Sequence, residues 1–426
     1  MRITTLCLVL LVTIHKPATP ILTGADQMSL YLPLLQGKNV AIFANATSVI
    51  GNTHLVDTLL KKGVRIVKIF SPEHGFRGEA DAGAKVGNQQ DPSTGIPIIS
   101  LYGTKNKPTP SDLEGVDILL FDIQDVGVRF YTYISSMQKY LEAAIENHRH
   151  IIILDRPNPN GFYVDGPILD TKYRSFVGMQ PIPVVYGMTI GEYAKMLLGE
   201  NWLSPSDSIT RATATANTTN PAAATNPTTA SKTTTPTTAS NTTNPTGFQL
   251  IVIPCKNYTH KSRYTLPVPP SPNLPNMQSV YLYASLCLFE GTPISLGRGT
   301  SKPFQQFGNP SFPATGYTFT PQSIPGATNP PQLGKACNGY DLSGTNAEKA
   351  TGNQWTLKWV LQAYRLYPEK DSFFLRNGSG FDRLAGGSTL RQQIKEGLSE
   401  AAIRKTWEPA LTNFKTIRKK YLLYAD

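Results

Sequence analysis

The chain has 426 residues, of which 40% are hydrophobic and 16% are charged, a composition typical of a globular protein. It is long enough for roughly two or three domains with a large core, which excludes a small scaffold that depends on disulfides. The net charge of +11 suits an anionic partner such as an acidic polysaccharide. The basic residues are scattered rather than interleaved with aromatics, so we expect no nucleic-acid binding.

The N-terminus has the features of an export signal. A single positive charge precedes an apolar run at residues 3–14, which predicts a secretory signal peptide that we place at residues 1–23. The run is too short to cross a bilayer and no later segment is apolar enough, so we expect a bacterial protein that is secreted or periplasmic, without stable membrane insertion. The remaining cysteines, Cys255, Cys287 and Cys337, are odd in number and widely spaced, which indicates neither a disulfide framework nor a metal site.

Apolar strands alternate with amphipathic helices between residues 24 and 203. Helical spacing of apolar residues predicts helices at 54–62 and 135–148. Apolar runs predict strands at 40–44, 64–70, 97–102, 117–121 and 151–154. Strands that are apolar on both faces indicate a parallel sheet covered on both sides, so this segment is predicted to be a Rossmann-like α/β domain. No glycine-rich phosphate loop follows the first strand, and we expect no nucleotide or other cofactor.

The composition changes abruptly at residues 204–246, where Thr, Ala, Asn and Pro dominate. Such a tract cannot bury a core, so we expect a disordered insertion or linker without a catalytic role. The globular pattern resumes afterwards, and residues 247–426 are predicted to form a second, mixed α/β domain. Its elements are predicted at 248–253, 279–288, 355–367 and 394–424. We expect the active-site cleft to lie between the two domains.

Polar side chains follow several of the predicted strands. Asn45 ends the first strand, Glu73 follows the second, Asp122 ends the fourth, and Asp155 and Arg156 end the fifth. The carboxyl ends of parallel strands lie along one edge of a sheet, where open α/β proteins bind their ligands, so these residues predict one polar cleft. Helix caps and solvated turns are the alternative for any single one of them.

Glu73 lies in the segment Ser-Pro-Glu-His-Gly-Phe-Arg-Gly at 71–78, which places a carboxylate, an imidazole and a guanidinium at the mouth of a strand. His74 could tune Glu73 or bind the substrate. The chain has only six histidines and no His-Glu-x-x-His motif, so we expect no metal.

The segment 122–133 is dense in functional groups, among them Gln124, Asp125, Arg129 and Tyr131. Arginine can bind a carboxylate through two hydrogen bonds, and a tyrosine ring offers a sugar a flat apolar face with a hydroxyl. The alternative is a loop that packs against the core around one structural ion pair. The polar segment 155–161, which contains Asn158, allows the same two interpretations.

The second half supplies another carboxylate, Glu290, followed by Arg298 and Thr300 in the sequence Gly-Arg-Gly-Thr. Two carboxylates that face one cleft are what glycoside hydrolysis usually needs, because one protonates the leaving oxygen and the other acts as nucleophile or base. The competing role for Glu290 is a salt bridge that holds Arg298.

Taken together, these motifs resemble the NamZ-type exo-β-N-acetylmuramidases, long known only as a domain of unknown function. The resemblance rests on the segments at 71–78, 122–133, 155–161, 269–275, 289–292, 297–300, 381–387 and 421–424. It covers nearly the whole chain outside the signal and the Thr-rich tract. It implies an exo-acting glycoside hydrolase that removes β-linked N-acetylmuramic acid from the non-reducing ends of peptidoglycan-derived muropeptides or disaccharides, with Glu73 as the catalytic acid.

The remaining assignments follow from position and chemistry. Glu290 is the predicted second catalytic carboxylate. The predicted substrate-binding residues are Asn45, His74, Asp122, Gln124, Asp125, Arg129, Tyr131, Asp155, Arg156, Asn158, Asn273, Arg298 and Thr300. N-acetylmuramic acid carries a lactyl carboxylate, so we expect one of the three arginines to bind it. The alternative function is a non-catalytic peptidoglycan-binding protein that uses the same cleft.

Overall fold

A computed structural model describes residues 19–73, 75–76, 89–203, 239–243 and 247–426. Most of the predicted signal peptide, most of the Thr-rich tract and His74 lie outside the described residues. The end of the predicted signal segment is described, and Leu22 exchanges backbone hydrogen bonds of 3.0 and 2.8 Å with Lys256. Residues around Leu22 therefore belong to the folded body.

An eight-stranded sheet forms the centre of the molecule. The strands of this sheet and of one short hairpin are, in chain order, β1 (Asn39–Ala44), β2 (Val49–Ile50), β3 (Thr53–His54), β4 (Arg65–Ser71), β5 (Gln89–Gln90), β6 (Pro97–Ser100), β7 (Ile118–Asp122), β8 (His150–Leu154), β9 (Ser240–Thr243) and β10 (Gln249–Ile253). The sheet order is β5-β6-β4-β1-β7-β8-β10-β9. The six inner strands run parallel and the two edge strands antiparallel, which confirms the predicted Rossmann-like α/β architecture.

The helices cover both faces of this sheet because the strands are apolar on both sides. The helices are α1 (Met28–Leu35), α2 (Leu55–Lys61), α3 (Tyr133–Glu146), α4 (Ile190–Gly199), α5 (Met277–Leu286), α6 (Ala347–Thr351), α7 (Lys358–Leu366), α8 (Ser379–Ala385), α9 (Thr389–Lys395) and α10 (Glu400–Lys419). In β1, Ala41 and Phe43 pack in the core that contains α3, whereas Val40 and Ile42 pack in the core that contains α2. This alternation is the two-residue period of a strand buried on both faces. Among the described residues, no helix is long and apolar enough to cross a membrane.

The second half adds a three-stranded antiparallel sheet to the helices at the end of the chain. Its strands are β11 (Gln306–Asn309), β12 (Thr318–Phe319) and β13 (Cys337–Asp341), in the order β11-β13-β12. The second domain was predicted to begin at residue 247, and the structure corrects this boundary. β10 pairs in parallel with β8 and so completes the first sheet. The Thr-rich tract is therefore inserted into the first domain rather than placed between the two domains.

The register of the sheet determines which side chains meet at its carboxyl edge. β4 and β6 are aligned so that Ser71 pairs with Ser100, and Glu73 and Tyr102 each lie two residues beyond this pair. β1 lies on the other side of β4, and Asn45 follows its last residue. Tyr102, Glu73 and Asn45 thus leave three neighbouring strands at the same edge.

Candidate active site

A cavity of about 910 Å³ opens at the carboxyl edge of the sheet. The strand ends and the loop before α3 contribute one wall, and the second half of the chain contributes the other. Its principal lining residues are Glu73, Tyr102, Tyr131, Tyr133, Ser271, Asn273, Tyr283, Glu290, Arg298, Phe304 and the loop 326–332. Five of the predicted site residues therefore face one cavity. These are Glu73, Tyr131, Asn273, Glu290 and Arg298.

Glu73 is presented to the cavity by a tight turn after β4. The Gly75 amide donates to the Pro72 carbonyl at 3.1 Å, and the φ of Gly75 is +75°, in the left-handed region that glycine adopts readily. The Phe76 ring then packs against His54 with centroids 4.7 Å apart, which anchors the loop. The Pro-Glu-x-Gly order in the sequence is what allows this turn, since it places a carboxylate directly at the end of a buried strand.

Tyr102 is a site residue that the sequence interpretation missed. It lines the same cavity as Glu73 and Glu290. Burial raises the pKa of Tyr102 above its ordinary value, and the charges of Glu73 and Glu290 raise it further. Both carboxylates are therefore close enough to act on one phenol, which keeps its proton. The available signal was its position as the last residue of the strand predicted at 97–102, two residues beyond the end of β6.

Glu290 is carried by a short 3₁₀ helix, Cys287–Gly291, that directly follows α5. Its Oε1 accepts a hydrogen bond from Nη2 of Arg298 at 2.6 Å. The Glu290 side chain is 37% exposed and that of Arg298 is 19% exposed, so the ion pair lies at the cavity surface. The salt bridge named as the competing role of Glu290 is therefore present, and it coexists with access to the cavity.

Arg298 is held in place by the turn that contains it. Gly297 and Gly299, which flank it, have φ values of +76° and +79°, and a Cβ on Gly299 would lie 2.3 Å from the Gln322 carbonyl oxygen. Thr300 does not line the cavity. It closes the turn instead, because its hydroxyl donates to the Gly297 carbonyl at 2.6 Å. The Arg298 guanidinium lies over the Phe304 ring, 4.8 Å from its centroid.

An aromatic wall faces the carboxylates. Tyr131 and Tyr133 pack edge to face with centroids 4.8 Å apart, and both hydroxyls donate to the Pro270 carbonyl, at 2.6 and 3.3 Å. Burial and then the charge of Glu73 raise the pKa of Tyr133. Asn45 lies behind this wall, where its amide donates to the Tyr133 hydroxyl at 2.9 Å. The two rings are thereby held rigidly in the wall of the cavity.

The structure does not bring Arg156 or Arg129 to the cavity. Arg156 binds Asp122 through two hydrogen bonds of 2.6 and 2.8 Å, and both side chains are buried at the sheet edge. Arg129 is fully buried and donates to three backbone carbonyls, those of Pro167, Ile182 and Leu384. Burial lowers the pKa of Arg129 to about 9. Neither guanidinium is available to a substrate carboxylate, because each is already enclosed by internal acceptors.

The other predicted acids and amides also form internal networks. Asp155 accepts hydrogen bonds from the hydroxyls of Thr189 and Tyr424 at 2.7 and 2.5 Å, and Asp125 accepts one from Tyr186. Burial raises the pKa of both carboxyls to about 6. Gln124 and Asn158 bind backbone carbonyls at 2.8 Å. These residues brace the loops beneath the cavity. The alternative stated for them, a packing loop with a structural ion pair, describes them better.

An α/β sheet that directs two carboxylates and an aromatic wall into one cavity has the arrangement of a glycoside hydrolase. Comparison with known proteins identifies the family. Residues 40–278 match the N-terminal domain of the exo-β-N-acetylmuramidase NamZ, and residues 281–424 match its C-terminal domain. The chain belongs to the NamZ exo-β-N-acetylmuramidase family.

Individual relatives agree with this assignment. The chain is 38% identical to the peptidoglycan β-N-acetylmuramidase NamZ of Bacillus subtilis, over 97% of this chain and 93% of that protein. A crystal structure of a DUF1343 family protein from Bacteroides fragilis is 45% identical, with a TM-score of 0.79, and covers 96% of this chain and 100% of its own. A second from the same organism is 26% identical, with a TM-score of 0.71, and covers 95% and 99%. The predicted family, glycosidase class and fold are confirmed.

No group of three or more His, Cys, Asp or Glu side chains that could hold a metal ion occurs in the part of the chain that the structure describes. His74, which was predicted to tune Glu73 or to bind the substrate, lies outside that part.

Proposed function

We propose that Glu73 is the catalytic acid of an exo-acting glycoside hydrolase that releases β-linked N-acetylmuramic acid from the non-reducing ends of peptidoglycan fragments. Family membership supports the reaction. The observation that supports the residue is the convergence of Glu73 and Glu290 on one cavity, with Tyr102 close to both. Two carboxyl groups around one glycosidic bond supply the acid and the nucleophile or base of this chemistry.

In this proposal Glu73 protonates the glycosidic oxygen as the bond breaks. Tyr102 acts as a positioning residue, because its hydroxyl lies near the Glu73 carboxyl and can donate a hydrogen bond to it. Positioned proton transfer of this kind contributes about 10²–10⁴-fold to rate.

Glu290 is the second carboxylate. Its ion pair with Arg298, at 2.6 Å, holds it at the cavity surface, where a carboxylate can stabilise the positive charge that develops on the sugar. The stereochemistry of the first product distinguishes its two possible roles. An inverted α-anomer identifies Glu290 as the base for water. A retained β-anomer excludes that role and leaves Glu290 or the acetamido group of the substrate as the nucleophile.

Arg298 binds the lactyl carboxylate of the substrate. Among the described residues it is the one arginine that lines the cavity, and its Nη2 alone has a hydrogen bond to another described side chain. The guanidinium therefore has further donors to offer a second carboxylate. The tyrosine wall on the other side supplies the stacking surface for the sugar ring.

The test of this function is product release from defined substrates. Peptidoglycan fragments that end in N-acetylmuramic acid should lose that sugar one residue at a time from the non-reducing end. The same fragments capped at that end by N-acetylglucosamine should remain intact, because an exo-acting site cannot reach the internal linkage. Binding without release of sugar from either set would favour the non-catalytic peptidoglycan-binding protein instead.

The protein is exported by its N-terminal segment and acts outside the cytoplasm. The apolar run at residues 3–14 supports export. Leu22 pairs with Lys256 in the folded protein, so the signal peptide must be cleaved at a position before Leu22 for this pairing to be kept. N-terminal sequencing of protein recovered from the periplasm or the medium tests this. A mature chain that starts after Leu22, or retention in the cytoplasm, would contradict it.

A further inference from the structure

A second cavity, of about 570 Å³, lies apart from the large cavity that contains Glu73. Its walls are residues 161–165 in the chain after β8, residues 260–261 in the chain after β10, residues 353–354, and one face of α10. No described residue lines both cavities. In the sheet β8 is three strand positions from β4, about 14 Å away, so the second cavity is a separate site.

The second cavity is basic at one end. Lys415 and Lys419 both line it, are exposed, and form no ion pair with any described residue. They lie four residues apart on α10, where like charges repel each other and destabilise a helix. An anion bound between them would remove this repulsion.

The carboxylates of the second cavity leave this lysine pair uncompensated. Two of the three in its described lining are bound by internal arginines. These ion pairs are Asp165 with Arg404, at 2.7 Å, and Asp426 with Arg418, at 2.8 Å. The third carboxylate, Glu408, precedes Lys415 by seven residues, which is about 10 Å along the helix. An anionic ligand can therefore bind beside Lys415 and Lys419.

The remaining walls suit a peptide. The side-chain amides of Asn353 and Gln354 have no hydrogen-bond partner among the described residues, and each can both donate and accept. Phe162 and Tyr163 are half-buried, and their ring centroids are 4.9 Å apart. Amides pair with a peptide backbone, aromatic rings cover small apolar side chains, and lysines bind carboxylates. A phosphate polymer would use the lysines but neither the amides nor the rings.

We propose that the second cavity binds a short peptide with free carboxylates, the class of group that the stem peptides of peptidoglycan carry. The site is separate from the candidate active site, and only the link to peptidoglycan rests on the proposed function. A stem peptide bound there would hold the polymer on the enzyme while a chain end occupies the large cavity.

The test uses two probes that differ only in charge. One is N-acetyl-L-alanyl-D-glutamic acid, which has both carboxylates free, and the other is its uncharged diamide, N-acetyl-L-alanyl-D-glutamine amide. Isothermal titration calorimetry measures the Kd of each probe with the full-length protein. The dicarboxylate should bind the wild-type protein at least about threefold more tightly than the diamide, because only the dicarboxylate forms ion pairs with the lysines.

Two double variants test the two halves of the site. Lys415→Gln/Lys419→Gln should weaken binding of the dicarboxylate at least about threefold, as should Asn353→Ala/Gln354→Ala. The matched control is Lys349→Gln/Lys405→Gln, which removes the same charge at exposed positions outside the cavity and should keep the wild-type Kd.

Four results would overturn the proposal. The wild-type protein may fail to bind the dicarboxylate, or the control may lose as much binding as Lys415→Gln/Lys419→Gln. Arg298→Leu, rather than the lysine variant, may abolish binding, which would place the peptide in the large cavity. Inorganic phosphate at the same concentration may displace the dicarboxylate, which would identify a general anion site.

Activity is measured separately, so that the two proposals can fail independently. Lys415→Gln/Lys419→Gln should keep the wild-type kcat/KM for the peptide-free disaccharide of N-acetylmuramic acid and N-acetylglucosamine, because that substrate has no peptide to occupy the second cavity. If the wild-type protein does not hydrolyse this disaccharide, the proposed function fails, whereas the Kd values still decide what the second cavity binds.

Discussion

Replacing Arg298 by leucine should reduce the preference of the enzyme for N-acetylmuramic acid over N-acetylglucosamine, which lacks the lactyl carboxylate. The substitution removes the one arginine among the described residues that lines the large cavity. The turn at 297–300 should persist, because the Thr300 hydroxyl closes it by donating to the Gly297 carbonyl. It also leaves Glu290 without its ion-pair partner, which will lower activity on both sugars.

The size of the effect follows from the contact that is lost. A hydrogen bond that involves a charged group contributes about 1.5–3 kcal/mol, and each 1.4 kcal/mol is about a factor of ten. The preference for N-acetylmuramic acid should therefore decrease by a factor of about 10 to about 150. Arg298→Lys keeps the charge without the planar fork and should lose less of the preference.

The assay measures kcat/KM for chromogenic N-acetylmuramide and N-acetylglucosaminide on each variant. Glu290→Gln is the control for the disrupted ion pair, because it should lower both activities while it keeps their ratio. If Arg298→Leu lowers both activities equally, as Glu290→Gln does, then Arg298 only braces Glu290 and the carboxylate is bound by other groups.

Three further predictions address parts of the structure outside this contact. Arg156→Leu should destabilise the protein by about 3–5 kcal/mol in denaturant unfolding, because it leaves Asp122 buried without its partner, and it should not change the sugar preference of the folded fraction. Tyr102→Phe should lower kcat by about 10- to 100-fold with little change in KM, because the variant loses the hydroxyl proposed to orient Glu73 and keeps the ring. An unchanged kcat would show that Tyr102 has no part in the mechanism. His260 is buried between the side chains of Glu192 and Asp426, and its pKa is raised to about 9. Its contribution to stability is therefore complete below its ordinary pKa of about 6.5, and it is lost as the pH rises through about 9. The thermal midpoint of the wild-type protein should fall over this pH range, and an equal fall in His260→Gln would contradict the prediction.

Much of the first domain could be predicted because its strands are continuous apolar runs. β1, β4, β7 and β8 follow from these runs, since the residues of a strand that are buried against helices are mostly apolar. β10 is an apolar run of the same kind, but its partner β8 lies across an insertion, and no local pattern says which sheet a strand joins. The three-stranded sheet has short strands with polar side chains, so it gives no periodic signal.

The predicted site residues form two groups, those that face the cavity and those that are buried inside the protein. Glu73 and Glu290 follow apolar elements and face the cavity, and both could be found because a charge directly after a buried segment is conspicuous. Arg129 and Arg156 occupy equally conspicuous positions but lie inside, because carbonyls and a carboxylate from distant parts of the chain surround them. Whether an arginine faces a ligand or an internal acceptor depends on residues far away in sequence, which a motif does not contain. Tyr102 was missed for the opposite reason, since one tyrosine after a strand carries no distinctive pattern.

The most direct test of the central claim is the turnover of Glu73→Gln on peptidoglycan fragments that end in N-acetylmuramic acid, because their sugar leaving group must be protonated as the bond breaks. The variant keeps the shape of the side chain and removes the proton that it donates. It should fold and bind substrate as the wild-type protein does, while kcat falls about 10²–10⁴-fold. The matched control is Glu396→Gln, the same change at an exposed position, which should keep full activity. A Glu73→Gln variant that keeps more than about a tenth of wild-type kcat would contradict the assignment, because a tenfold loss is only about 1.4 kcal/mol of barrier.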